Sequence, residues 1–124
     1  ALLLVSGTAL FLPTLSTLIG GKGLSPTEAT ILINRRKAAV LDLRESEAYK
    51  AGHLPGAKHI DAAGLTAAIE KLKLDRNNPL ILVCDTGAQS RKAIAEVKKL
   101  GFAEVASLDG GVQAWKAAAL PLVK

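Results

Sequence analysis

The 124-residue chain contains a single cysteine, Cys84, and no methionine. One cysteine cannot form a disulfide within the chain, so nothing in the sequence requires an oxidising compartment. Aromatic residues make up only 3% of the chain, and the lysines and arginines are spread along it, so the net charge of +5 does not indicate nucleic-acid binding. Cys84 and the two histidines, His53 and His59, lack the spacing of a metal site. We therefore expect neither a nucleic-acid partner nor a bound metal.

Charge is absent from residues 1–21, and Lys22 is the first charged residue. This apolar segment is long enough to span a bilayer core, although Pro13 and several polar residues interrupt it. It lacks the basic start and the small-residue cleavage site of a signal peptide. The basic residues that follow would hold the rest of the chain in the cytoplasm, so we expect residues 1–21 to be a truncated anchor in the inner membrane. The alternative is an apolar arm that packs on its own domain or on a second copy.

Residues 22–124 alternate between strand and helix patterns, and their number suits one domain. Ser25-Pro26-Thr27-Glu28 forms a capping box that opens the first helix. Later helices are expected over residues 45–50, 65–72, 90–100 (closed by Gly101) and 112–119, and strands over 38–43, 58–60, 80–83 and 104–108. Strands that alternate with crossover helices predict an α/β fold, with a small parallel sheet and helices on both faces.

Cys84 follows directly after the predicted strand Leu80–Val83. In open α/β sheets, ligands bind beyond the carboxyl ends of the strands. The loop after Cys84 leads into a helix, whose free N–H groups and positive dipole end would favour a thiolate and lower the pKa of the thiol. The alternative is a buried cysteine that acts as a small apolar side chain. The polar, glycine-bearing loop favours a nucleophile instead.

Other polar residues can reach the same sheet edge. Asp42 and Arg44 end another predicted strand, and they would either contact a substrate or form a purely structural ion pair. Arg91 adds positive charge near the start of the helix after Cys84. It stands one residue too late for the Cys-x5-Arg loop of thiol phosphatases, so we reject that chemistry. His53 lies in a Gly- and Pro-containing turn, where we expect it to bond to the backbone.

Five segments in order resemble those of the rhodanese domain, in particular its single-domain bacterial sulfurtransferase type, over roughly residues 22 to 122. They are LDLR (41–44), GHLPGA (52–57), CDTGAQS (84–90), LGF (100–102) and LDGGVQAW (108–115). The uncharged N-terminal segment is also similar to that of members with a membrane segment. The resemblance implies a rhodanese-like fold and a sulfurtransferase.

The resemblance further implies that Cys84 accepts sulfur from an anionic donor, thiosulfate or a persulfide, as a Cys84 persulfide and passes it to a thiol or to cyanide. No metal or organic cofactor is implied. Asp42 and His53 are expected to be structural residues near the site. The expected substrate-binding residues, several of which act through their main chain, are Arg44, Asp85, Thr86, Gly87, Ala88, Gln89, Ser90 and Arg91.

One position departs from the family pattern. Gln89 stands where many members that use thiosulfate carry arginine, and an amide brings no charge to a dianion. Arg91 cannot replace it directly, because on a helix it points about 200° away from residue 89. Asp85 also places a negative charge beside the thiol. An alternative function is a non-catalytic or persulfide-carrying module that binds a protein partner at the membrane, but the presence of Cys84 favours the enzyme.

Overall fold

The computed structural model describes residues 23–102 and 104–124. The predicted anchor, residues 1–21, lies outside the described residues. Within those residues, no helix combines the length and the apolar character that a bilayer crossing requires. The strands are β1 (Ala39–Asp42), β2 (Lys58–His59), β3 (Leu80–Val83) and β4 (Val105–Ser107). The helices are α1 (Pro26–Arg36), α2 (Ser46–Ala51), α3 (Leu65–Leu72), α4 (Ala88–Lys98) and α5 (Gly111–Ala117), with a short 3₁₀ turn at Ala62–Gly64.

The described strands form one parallel sheet, as the alternating pattern predicted, and their order in it is β2-β1-β3-β4. Asp42 is opposite Val83 across the central pair of strands and opposite His59 across the outer pair. The carboxyl ends of β1, β2 and β3 therefore lie side by side. Because Cys84 follows β3 and Arg44 follows β1 by two residues, the register brings these two segments to one edge.

Helices cover both faces of the sheet, which confirms the predicted layers. Successive side chains of β3 alternate between two apolar clusters: Ile81 and Val83 pack with residues of α1 and α5, and Leu80 and Leu82 pack with residues of α3 and α4. All four β3 side chains are fully buried. A strand that is apolar on both faces is typical of a central parallel strand, since helices exclude water from each side.

The first helix begins as its sequence predicts. Glu28 N–H donates to Ser25 Oγ at 3.1 Å, and Ser25 N–H donates to Glu28 Oε1 at 2.9 Å. These reciprocal bonds pair two of the N–H groups that helix geometry leaves free. Leu24, just before the cap, pairs with Leu108 beyond the end of β4 and so joins α1 to the sheet edge. Lys37 ends the helix in the left-handed conformation.

Several helix ends differ from the sequence prediction by one or two residues. Helix α4 begins at Ala88 rather than at Ser90, and α5 begins at Gly111 rather than at Val112, because a left-handed glycine precedes each helix and turns the chain early. Gly101 is not the C-cap of α4. The helix is capped at Lys99. The chain then makes a 3₁₀-type turn, in which Gly101 N–H donates to the carbonyl of Lys98, three residues earlier, at 3.1 Å.

Candidate active site

Cys84 is the first residue after β3, and it is buried, with 2% of its surface exposed. The chain turns behind it through Gly87, whose φ is +99°. A Cβ atom at Gly87 would lie 3.1 Å from Gly110 N and 3.2 Å from the Leu108 carbonyl oxygen. Both the backbone conformation and this close packing favour glycine at the turn.

The Cys84 sulfur accepts hydrogen bonds from the backbone at the start of α4. Gly87 N–H donates to Sγ at 2.9 Å and Ser90 N–H donates at 3.4 Å, while Ser90 Oγ lies 3.5 Å from Sγ. The N–H groups of a first helical turn have no partner within the helix, and a side chain at the N-cap usually accepts one of them. Gly87 has no side chain to do so. Cys84 Sγ takes that place, which positions the nucleophile at the positive end of α4.

These contacts decide the pKa of the thiol. Burial raises the pKa of Cys84, because a thiolate loses its hydration. Hydrogen bonds from the Ser90 side chain and from the backbone N–H groups of Ser90, Gly87 and Gln89 lower that pKa by more, so the net shift is downward from the ordinary value of a cysteine. A lower pKa raises the thiolate fraction at neutral pH, and the thiolate is the reactive form.

The start of α5 supports the Cys84 loop from its other side. Val112 N–H donates to the Cys84 carbonyl at 2.9 Å, and Gln113 N–H donates to the Asp85 carbonyl at 3.2 Å. The Gln113 side chain also donates to Asp85 Oδ1 at 2.9 Å. Sequence reasoning noted this segment only for its resemblance, and missed its role as a support. No spacing signal could have found it, because 28 residues separate Gln113 from Asp85.

Asp42 and Arg44 form a buried ion pair at the end of β1. Asp42 is fully buried, and its Oδ2 accepts from Arg44 Nη2 at 2.8 Å. Arg44 Nη2 also donates to the Gly52 carbonyl at 2.6 Å, and only 9% of the arginine side chain is exposed. The carboxylate therefore fixes the guanidinium against the turn. Most of the arginine's charge is matched by Asp42, which weakens its attraction for a second anion.

A cavity of about 500 Å³ opens beside the nucleophile loop. It connects the ends of β1 and β2 with the first turn of α4, and its lining residues are Leu43, Arg44, Glu45, Ser46, His59, Asp61, Ala63 and Gln89. His59 is fixed in this wall by a 2.8 Å hydrogen bond between Nε2 and the Arg44 carbonyl. Gln89 is the link to the thiol, because its side chain lines the cavity while its backbone N–H helps to lower the pKa of Cys84.

The other predicted loop residues lie around this centre in different ways. Ser90 is fully buried, and Gly87 is buried, so both face the interior beside Sγ. The remaining members of the loop and of the first turn of α4 are exposed: Asp85, Thr86, Ala88, Gln89 and Arg91. The structure thus brings Cys84, Gly87 and Ser90 into direct contact and leaves the other side chains exposed at the surface around them.

His53 lies in the turn between α2 and β2. Its Nδ1 is 2.8 Å from the Tyr49 carbonyl oxygen, and its ring stacks on that of Tyr49, with the centroids 3.8 Å apart. Its backbone pairs with Val123 in an antiparallel bridge. These contacts match the backbone-bonded turn residue that the sequence predicted. Over residues 23–102 and 104–124, no three His, Cys, Asp or Glu side chains are grouped in a way that could hold a metal ion.

The chain is similar to proteins that are already known. Residues 25–118 match the model of the Rhodanese-like domain. Thiosulfate sulfurtransferase GlpE of Pseudomonas putida is 36% identical over 96 residues, which are 77% of this chain and 86% of that protein.

Two solved structures extend the comparison. A thiosulfate sulfurtransferase from Pseudomonas aeruginosa superposes with a TM-score of 0.75 at 33% identity, covering 83% of this chain and 19% of that one, so this chain corresponds to about a fifth of that protein. A rhodanese-related protein from Thermoplasma volcanium superposes with a TM-score of 0.71 at 22% identity, covering 82% and 97% of the two chains, which shows a shared fold.

Proposed function

Because this chain belongs to the rhodanese-like domain family, we propose that it is a sulfurtransferase in which Cys84 carries sulfur as a persulfide. One observation carries this proposal. The sole thiol of the chain lies at the carboxyl edge of the sheet, with two backbone N–H groups directed at its sulfur and a pKa below that of an ordinary cysteine. This arrangement suits a nucleophile that must alternate between thiolate and persulfide.

In the first half-reaction, the Cys84 thiolate attacks the outer sulfur of a donor such as thiosulfate. A bond forms between Sγ and that sulfur, the original sulfur–sulfur bond breaks, and sulfite leaves with the bonding electron pair. The charge on the product is carried by the terminal sulfur of the persulfide. The backbone N–H groups of residues 85–89, at the positive end of α4, would stabilise this anion.

In the second half-reaction, a thiolate or cyanide attacks the terminal sulfur. The Cys84 thiolate leaves with the electron pair and returns to its hydrogen bonds with Gly87 and Ser90. Since these N–H groups are already in place, little reorganisation is needed when the thiolate reforms. The 500 Å³ cavity beside Gln89 is our proposed entrance for the donor and the acceptor.

Mass spectrometry of the intact protein tests this function. After incubation with thiosulfate and removal of the excess, we expect the mass to rise by that of one sulfur atom, and cyanide should then return it to the starting value. Alkylating Cys84 beforehand should prevent the increase. Absence of a labile sulfur adduct with thiosulfate and with persulfide donors would contradict sulfur transfer and favour a binding module.

Donor selectivity gives a second test, at Gln89. Gln89→Arg places a guanidinium at an exposed position in the wall of the cavity, where a charge-assisted hydrogen bond to thiosulfate can form. After screening by solvent at an open site, we expect a net effect of about 1 kcal/mol, or roughly a fivefold lower KM for thiosulfate. Glu45 and Asp61 share the cavity and compete for the new charge, which limits the effect to this size. Steady-state kinetics at two salt concentrations would measure it.

Gln89→Met is the matched control, because it keeps a similar length without charge. We expect it to leave the KM for thiosulfate near or above the wild-type value. The benefit of Gln89→Arg should shrink as salt is raised and should be absent for an uncharged donor such as an organic trisulfide. Equal improvement with charged and uncharged donors would mean that residue 89 does not contact the donor's charge.

A further inference from the structure

The Ser90 hydroxyl lies between two acceptors. Ser90 is fully buried, and its Oγ is 3.1 Å from the Gly87 carbonyl oxygen and 3.5 Å from Cys84 Sγ. A hydroxyl carries one hydrogen and can donate in only one direction at a time. The protonation state of Cys84 therefore determines which of the two contacts the hydroxyl can make as a donor.

The hydrogen bonds of Cys84 and Ser90 differ between the neutral thiol and the thiolate. With a neutral thiol, the Cys84 S–H donates to Ser90 Oγ, and the Ser90 O–H donates to the Gly87 carbonyl. A thiolate has no hydrogen to donate and needs donors, so the hydroxyl must turn towards sulfur. This turn leaves no buried acceptor unpaired, because the Gly87 carbonyl keeps the hydrogen bond from Arg91 N–H at 3.1 Å.

We propose that Ser90 is a positioning residue whose hydroxyl reverses its hydrogen bond when Cys84 ionises, so that both states of the sulfur are satisfied. The thiol proton leaves to a base in the solvent, and the serine stays neutral and changes only the direction in which it donates. This role rests on the proposed function in one respect, namely that the thiolate is the reacting species. It assigns to the Ser90 side chain a task that the backbone contacts do not perform.

Charged groups surround the site, but none of them takes part in the reversal of the hydrogen bond between Ser90 and Cys84. On the elements that meet at this edge, they are Asp85 in the loop, Arg91 on α4, Asp42 and Arg44 after β1, His59 and Asp61 at β2, Glu45 before α2 and Asp109 before α5. The groups that interact with Sγ are the backbone N–H groups of Gly87, Gln89 and Ser90 and the Ser90 hydroxyl, none of which carries a charge. Removing the Ser90 hydroxyl leaves all of these charges in place, so a comparison of variants isolates its effect.

The test is the pH dependence of Cys84 alkylation by iodoacetamide, which in this chain can report on one thiol only. We expect Ser90→Ala to react about three- to tenfold more slowly at neutral pH, since one hydrogen bond to the thiolate is lost. The difference should disappear at alkaline pH, where both proteins are fully ionised. Ser90→Thr, which keeps a hydroxyl, should restore the wild-type profile. The kcat/KM for thiosulfate should follow the same pattern.

Ser107→Ala provides a matched control. Ser107 is also a fully buried serine near this sheet edge, and among the described residues its Oγ has no hydrogen-bond partner. Its removal should leave the alkylation profile unchanged. A Ser90→Ala profile that coincides with that of the wild type would overturn the proposal, as would a Ser107→Ala profile shifted as far as that of Ser90→Ala. Alkylation needs no sulfur donor, so a failure of the proposed sulfur transfer would be seen separately in the mass experiment.

Discussion

Cys84→Ser is expected to abolish sulfur transfer, lowering kcat by at least about a thousandfold, as the loss of a covalent nucleophile does in other enzymes. A serine hydroxyl has a far higher pKa than a thiol, and the N–H groups of Gly87 and Ser90 cannot make it ionise near neutral pH. Folding should be nearly unaffected. The substitution is close in volume, and the new Oγ can still accept from Gly87 N–H, so we expect a change of about 1 kcal/mol or less in the free energy of unfolding.

Thiocyanate production from thiosulfate and cyanide would measure the activity, and thermal unfolding would report the fold. Ser107→Ala again serves as the control, because it changes another buried polar side chain without contacting the nucleophile. If Cys84→Ser retained a substantial fraction of wild-type turnover while remaining folded, the persulfide mechanism would be wrong.

Gly111→Ala should have the largest effect on stability. Gly111 has a φ of +59°, and an added Cβ would overlap the Cys84 carbonyl oxygen and lie 2.6 Å from the carbonyl carbon and oxygen of Asp85. All three atoms belong to the backbone and cannot move aside as a side chain would, so the nucleophile loop and α5 must separate. We expect the free energy of unfolding to fall by about 3 kcal/mol or more.

Activity should also fall in the Gly111→Ala protein that remains folded. Separation breaks the hydrogen bonds from Val112 N–H to the Cys84 carbonyl and from Gln113 to Asp85. A displacement of about 1 Å at a reacting group can reduce a rate about a hundredfold, so kcat should drop by at least about tenfold. Denaturant unfolding and assays below the unfolding transition would separate the two effects.

Gly56→Ala is the matched control for backbone strain. Gly56 also has a positive φ, +79°, but apart from its two chain neighbours no atom of the described residues lies within 4 Å of its added Cβ. Only the left-handed conformation is then penalised, by about 1–2 kcal/mol, and sulfur transfer should be unchanged. If Gly111→Ala were no more harmful than Gly56→Ala, the close contact between α5 and the nucleophile loop would not matter for stability or catalysis.

Much of the fold could be predicted because its signals are local. The capping box at Ser25 involves residues three apart, and the continuous apolar run Leu80–Val83 is what a strand covered on both faces requires. The helix ends were less predictable. Both α4 and α5 start earlier than expected, because Gly87 and Gly110 turn the chain where their backbones pack closely against neighbouring atoms.

The sequence by itself determined that Cys84 follows the central strand and precedes a helix, because this placement depends only on neighbouring residues. Only the tertiary structure decided what surrounds that thiol. Asp42 fixes Arg44, the start of α5 supports the loop through Val112 and Gln113, and the start of α4 turns the Ser90 side chain towards sulfur. Successive side chains on an α-helix point about 100° apart, but which of them faces the sulfur depends on how α4 packs against the loop, and that packing leaves no local signal. Contacts between segments far apart in the chain likewise leave no local pattern, because they exist only once the sheet and helices have packed.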